Sequence, residues 1–111
     1  MIPFKFSKNT DELFGTILDL RSVKEAESFF RDLCTTAELS EMSDRWQMVR
    51  LIDEGVPYRK IASRLKTSTT TVSRVAAWLN NGEGGYRLAL DRMDSRLNSQ
   101  HHRKPFSKKS L

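Results

Sequence analysis

Apolar residues recur every three or four positions along most of this chain, the spacing of α-helices that each bury one face. In TDELFGTILDL the stripe is Leu13, Phe14, Ile17, Leu18 and Leu20, with Thr10 placed as N-cap. SVKEAESFFRDL sets Ser22 and Glu25 in capping-box register and is expected to bury Val23, Ala26, Phe29, Phe30 and Leu33. Leu39, Met42, Trp46, Val49 and Ile52 then run through TAELSEMSDRWQMVRLIDEG. Gly55 stops that helix, and Pro57 suits the first turn of the next. PYRKIASRL and TTTVSRVAAWLNN read as two short helices joined by KTS, the second ended by Asn81 and Gly82. YRLALDRMDSRL makes a sixth helix, carrying Leu88, Leu90, Met93 and Leu97. The pattern predicts an all-α fold: a flexible lead-in over 1–9, a helical domain over 10–97 with a two-helix hairpin at 57–80, and a basic disordered tail over 98–111.

One stretch resists this reading. Ser68, Thr69, Thr70 and Thr71 are consecutive hydroxyl residues, three of them β-branched, and such residues favour strands and turns. A strand has no partner here, because both flanks keep helical periodicity. As helix residues the four cost roughly 2 kcal/mol relative to alanine. Val72, Val75 and Leu79 share one face, and burying each returns about 1.5–3 kcal/mol, so the helix forms. Its outer face is then Thr69, Thr70, Ser73, Arg74 and Ala77. Short hydroxyl side chains let a helix approach a groove closely, donate to phosphate oxygens, bond base edges and offer methyl contact to thymine. The free N–H groups of the helix N-terminus also favour phosphate.

Charge follows the same division. Met1–Glu54 has seven basic and eleven acidic residues, a net of −4. Gly55–Gly82 has Arg59, Lys60, Arg64, Lys66 and Arg74 and no acid, and Arg96–Leu111 has another five basic residues and no acid. Basicity gathered in two places points to a polyanion. Ile61, Ala62 and Leu65 from the first hairpin helix, with Val72 and Val75 from the second, occupy the offsets of a helix-turn-helix. The turn after Leu65 often takes a left-handed residue, and Lys66 stands there: either the turn differs slightly, or Lys66 adopts that conformation at a cost of about 1–2 kcal/mol. The chain therefore reads as a sequence-specific DNA-binding transcriptional regulator, a repressor by preference. Ser68, Thr69, Thr70, Ser73 and Arg74 are assigned to the DNA surface, and Arg59, Lys60, Arg64 and Lys66 to phosphates. The alternative is a helical module that docks an acidic protein partner.

About 95 ordered residues are few to cover all these apolar stripes within one chain, so a homodimer is expected. The single Cys34 forms no intrachain disulfide, no apolar run spans a membrane, and MIPFKFSKNT lacks a secretory apolar stretch; a cytoplasmic protein with no membrane partner is expected.

The segments FFRDLCT, LSEMSDRWQMVRLIDEG, YRKIASRL, TTTVSRV and LNNGEGGYRLALDRM together resemble the Trp repressor superfamily, in its small bacterial YerC/YecD-like branch, over roughly Leu13–Leu97. The resemblance implies an intertwined all-α homodimer whose helix-turn-helix motifs project from a shared helical core. In tryptophan-sensing members two arginines flank the corepressor, and by motif these fall on Arg45 and Arg74. The glycine that follows the second arginine in those sensors is Val75 here, and a small residue three positions on is Trp78. Both fill space where an indole would lie, which disfavours tryptophan and leaves another small corepressor open. Otherwise Arg45 is a surface residue or an ion-pair partner of Glu41, and Arg74 contacts phosphate.

No other chemistry stands out. His101 and His102 lack a third metal ligand. Cys34 reads as core. NGEGGY is a helix-to-helix turn because no strand precedes it. Trp46 and Trp78 read as core or dimer seam, and the tail as a solvated segment or an auxiliary contact to DNA backbone. No catalytic set is visible, so an enzyme is not expected, and neither is a resident cofactor or metal.

Overall fold

The computed structural model describes residues 4–101. It holds six α-helices: α1 (Lys8–Leu18), α2 (Val23–Leu33), α3 (Thr36–Asp53), α4 (Tyr58–Leu65), α5 (Thr69–Asn81) and α6 (Gly85–His101). No strand occurs among the described residues. The chain divides into two compact units, Met1–Ser40 and Glu41–Leu111.

In the first unit α1 starts earlier than its sequence pattern predicts. Ser7, not Thr10, is the N-cap: Ser7 Oγ accepts from the Thr10 amide at 3.2 Å, and the Ser7 amide donates to Thr10 Oγ1 at 2.7 Å. Thr10 is the third helical residue of a closed capping box, so the expected loose lead-in over 1–9 is too long. For α2, Ser22 accepts from the Glu25 amide at 3.1 Å as expected. The Glu25 carboxylate reaches one residue further back, to the Arg21 amide at 2.8 Å.

Neither α1 nor α2 contains a buried residue. The burial expected for α2 is absent within the protomer: Val23 is 75% and Leu33 49% exposed, with Ala26, Phe29 and Phe30 partly covered. Cys34 is corrected in the same way; it caps α2 through its amide to the Phe30 carbonyl at 2.9 Å and is half-buried, not core. Aromatic side chains gather instead on the surface, Phe4 against Phe6 at 4.9 Å and Phe6 against Phe14 at 6.0 Å between ring centroids.

The second unit holds the core. Val49, Ile61 and Val72 are fully buried, with Met48, Ala62, Val75, Leu79 and Leu90 around them. Gly55 ends α3 at φ +87, which lets the Val56 amide reach the Leu51 carbonyl at 3.0 Å. Pro57 sits one residue outside α4 as its N-cap. α6 runs four residues past the expected end at Leu97; of the disordered-tail expectation, 102–111 lie outside the described residues. Leu90 is buried, whereas Leu88 and Leu97 face solvent. Arg87 and Asp53 bridge α6 and α3 at 2.9 Å. With Arg87 41% exposed that pair contributes at most about 1 kcal/mol.

Candidate nucleic-acid interface

α4 and α5 pack directly on each other. Ala62 is small and buried, which lets the helices cross closely. Lys66 joins them at φ 57 and ψ 50, the left-handed one of the two conformations left open for it by the sequence. That geometry turns the Thr67 amide back to the Ala62 carbonyl at 2.9 Å and satisfies an end of α4. Ser68 then opens α5: its Oγ accepts from the Thr71 amide at 3.1 Å and lies 3.0 Å from Thr71 Oγ1. Of the four consecutive hydroxyls, that of Ser68 is therefore the capping group and that of Thr71 is turned toward it. Thr69 and Thr70 remain, joined by Ser73, Arg74 and Ala77 one and two turns on, all exposed.

Thr69, Thr70, Ser73, Arg74 and Ala77 line one concavity of about 540 Å³, and Tyr58 of α4 completes it. Arg59, Lys60 and Arg64 are exposed on α4, and none of these cations, nor Arg74, forms an ion pair among the described residues. A hydroxyl- and methyl-rich face beside unneutralised cations has the chemistry for a duplex: short donors for base edges and point charges for phosphates. Tyr58 was missed from sequence because charge and hydroxyl content singled out the contacts. It lies eleven residues before Thr69, and only the crossing of α4 and α5 brings it alongside.

Lys66 is also exposed but lines a second concavity, of about 390 Å³, with Glu41, Asp44, Arg45 and Val75. Arg45 and Arg74 thus lie on separate concavities, and Glu41 and Arg45 line the same one without pairing among the described residues. Val75 does occupy the Arg45 site. Trp78 does not; it walls a third concavity of about 340 Å³ with Glu83, Gly84, Gly85 and Tyr86. Trp78 is 47% exposed, whereas Trp46 packs against the core and lies 6.3 Å from the Tyr86 ring.

Residues 8–94 match the Trp repressor protein family, a span that takes in α1 to α5, the first part of α6 and the whole of this surface. The chain belongs to the Trp repressor family. It is 42% identical to YerC of Bacillus subtilis (strain 168), a protein of uncharacterised function, over 86 residues that cover 78% of this chain and 83% of YerC. Among solved structures it superposes on a TrpR-like protein from Eubacterium eligens ATCC 27750 with a TM-score of 0.76 and 35% identity, covering 79% of this chain and 91% of that one. A provisionally named Trp repressor from Staphylococcus aureus gives 0.75 and 39%, with 80% and 89% covered. Trp repressor family proteins are DNA-binding regulators and not enzymes, and this chain is a DNA-binding regulator in that broad sense. No helix is long and apolar enough to cross a membrane among the described residues.

Proposed function

We propose that the protein is a sequence-specific transcriptional repressor that acts in the cytoplasm as a homodimer, reading an operator through α5. The observation that carries this is the outward face of α5, which has hydroxyls, a methyl and one arginine where a solvated helix would carry glutamates. Thr69, Thr70, Ser73 and Arg74 make the base-edge and nearby phosphate contacts, and Arg59, Lys60, Arg64 and Lys66 hold flanking phosphates. Ser68 contributes from the same turn while capping the helix.

The homodimer is supported by the first unit. Two eleven-residue helices with no buried residue leave Phe14, Leu18, Val23 and Leu33 exposed, and a second copy covers them. A helix-turn-helix dimer requires its two reading helices about 34 Å apart, one turn of duplex, which makes the operator pseudo-palindromic. Tryptophan is disfavoured as an effector, because Val75 stands beside Arg45 while Arg74 lines the reading face.

Selection of bound duplexes from a random pool tests this reading. A two-fold-symmetric motif is expected. Thr70→Ala changes the base preferred at one position of each half-site, whereas Lys60→Ala weakens all duplexes about equally. The reverse pattern, or no enriched duplex at low salt, would overturn the assignment.

A further inference from the structure

We infer that Tyr58 is a specificity-determining residue that forms, with α5, a pocket for the C5-methyl group of thymine. The inference rests on the DNA-reading assignment above. Tyr58 is 40% exposed and outside the core, and its phenol has no hydrogen-bond partner among the described residues. Packing against the protein therefore leaves a substantial part of the ring open to a partner. It lines the same concavity as Thr69, Thr70, Ser73, Arg74 and Ala77, facing them from the neighbouring helix.

The lining chemistry selects the ligand. Thr69 and Thr70 each bring a methyl group beside a hydroxyl, Ala77 a methyl and Tyr58 an aromatic ring, while Ser73 and Arg74 add further donors. A phosphate would be served by donors and cations alone and would gain nothing from three methyls and a ring. In the major groove the one apolar group on any base edge is the thymine methyl, which stands beside the O4 acceptor. A lining that is apolar on one part and donating on another matches that pair of groups. Cytosine presents a C–H at the same place and leaves the apolar wall partly hydrated. Burying one methyl group corresponds to about a fourfold gain in affinity.

The test replaces each thymine of a selected duplex, one at a time, by deoxyuridine, which deletes the methyl and keeps base pairing and O4. With the intact protein, one thymine in each half-site is expected to lose about fourfold in affinity on replacement. Tyr58→Ala is expected to bind the thymine and uracil duplexes equally, and Tyr58→Gln, of similar size, to do the same. Tyr58→Phe is expected to keep the discrimination, because the ring and not the hydroxyl makes the contact. Indifference of the intact protein to every uracil replacement would overturn the pocket while leaving DNA reading in place. Discrimination retained by a folded Tyr58→Ala or Tyr58→Gln protein would acquit Tyr58. Failure to enrich any duplex would remove the DNA reading itself and this pocket with it.

Discussion

On the proposed reading Ser68 and Lys66 each serve both the fold and the duplex, and substitutions separate the two roles. Ser68 caps α5 with its hydroxyl, so Ser68→Ala should cost about 1 kcal/mol of stability. Aspartate also caps, and favours the positive end of the helix. Ser68→Asp should therefore leave the urea midpoint nearly unchanged while lowering DNA affinity at least about tenfold, because its carboxylate faces phosphate. Equal loss of stability in both variants would show that the cap does not operate. Lys66 holds a left-handed conformation that glycine adopts without strain. Lys66→Gly is expected to raise stability by about 0.5–1 kcal/mol, read from denaturant unfolding, and to weaken binding through the lost cation. An unchanged affinity would place Lys66 away from phosphate, on the Arg45 concavity that it lines.

At the scale of elements, α5 shows how packing overrides propensity. Its leading hydroxyls disfavour a helix, and four inward residues, Val72, Val75, Ala76 and Leu79, hold it against the core. Val72 is fully buried, and Val72→Ala should cost about 2 kcal/mol; a loss below about 0.5 kcal/mol would mean that the α4–α5 contact is not what stabilises α5. The far end of α5 depends on the absence of a side chain. A methyl on Gly82 would collide with the Trp78 carbonyl oxygen and crowd its indole ring. Gly82→Ala is expected to lower the melting temperature although Gly82 does not have a positive φ, and an unchanged melting curve would contradict that clash.

The whole molecule is an uneven structure. One unit carries a closed core, and the two helices of the other contain no buried residue and leave several large apolar side chains exposed. If a second copy supplies the cover, Leu18→Glu should shift the protein from dimer to monomer in sedimentation and lower operator affinity by more than about tenfold. A monomeric wild-type protein with the same apolar surface would contradict the proposal. Charge acts at this scale too. Two protomers that neutralise about eight phosphates give a slope of log K against log salt near −7, and a slope shallower than about −3 would assign most of the α4 cations elsewhere.

Periodicity determined that the chain is helical, because a buried stripe must repeat with the helix, and breakers such as Gly55, Pro57 and Gly82 divided it into six helices and located the hairpin. It also marked the outward residues of α5, since residue type and face follow from sequence spacing. Helix ends were less legible: Ser7 and Thr10 both qualify as caps, and the choice depends on which amide each hydroxyl meets. Only the tertiary structure decided that α1 and α2 contain no buried residue, that Arg45 and Arg74 line separate concavities, and that Tyr58 lines one concavity with α5. Each of those depends on distances between residues far apart in the chain. A stripe states that a face is apolar and leaves open what will lie against it.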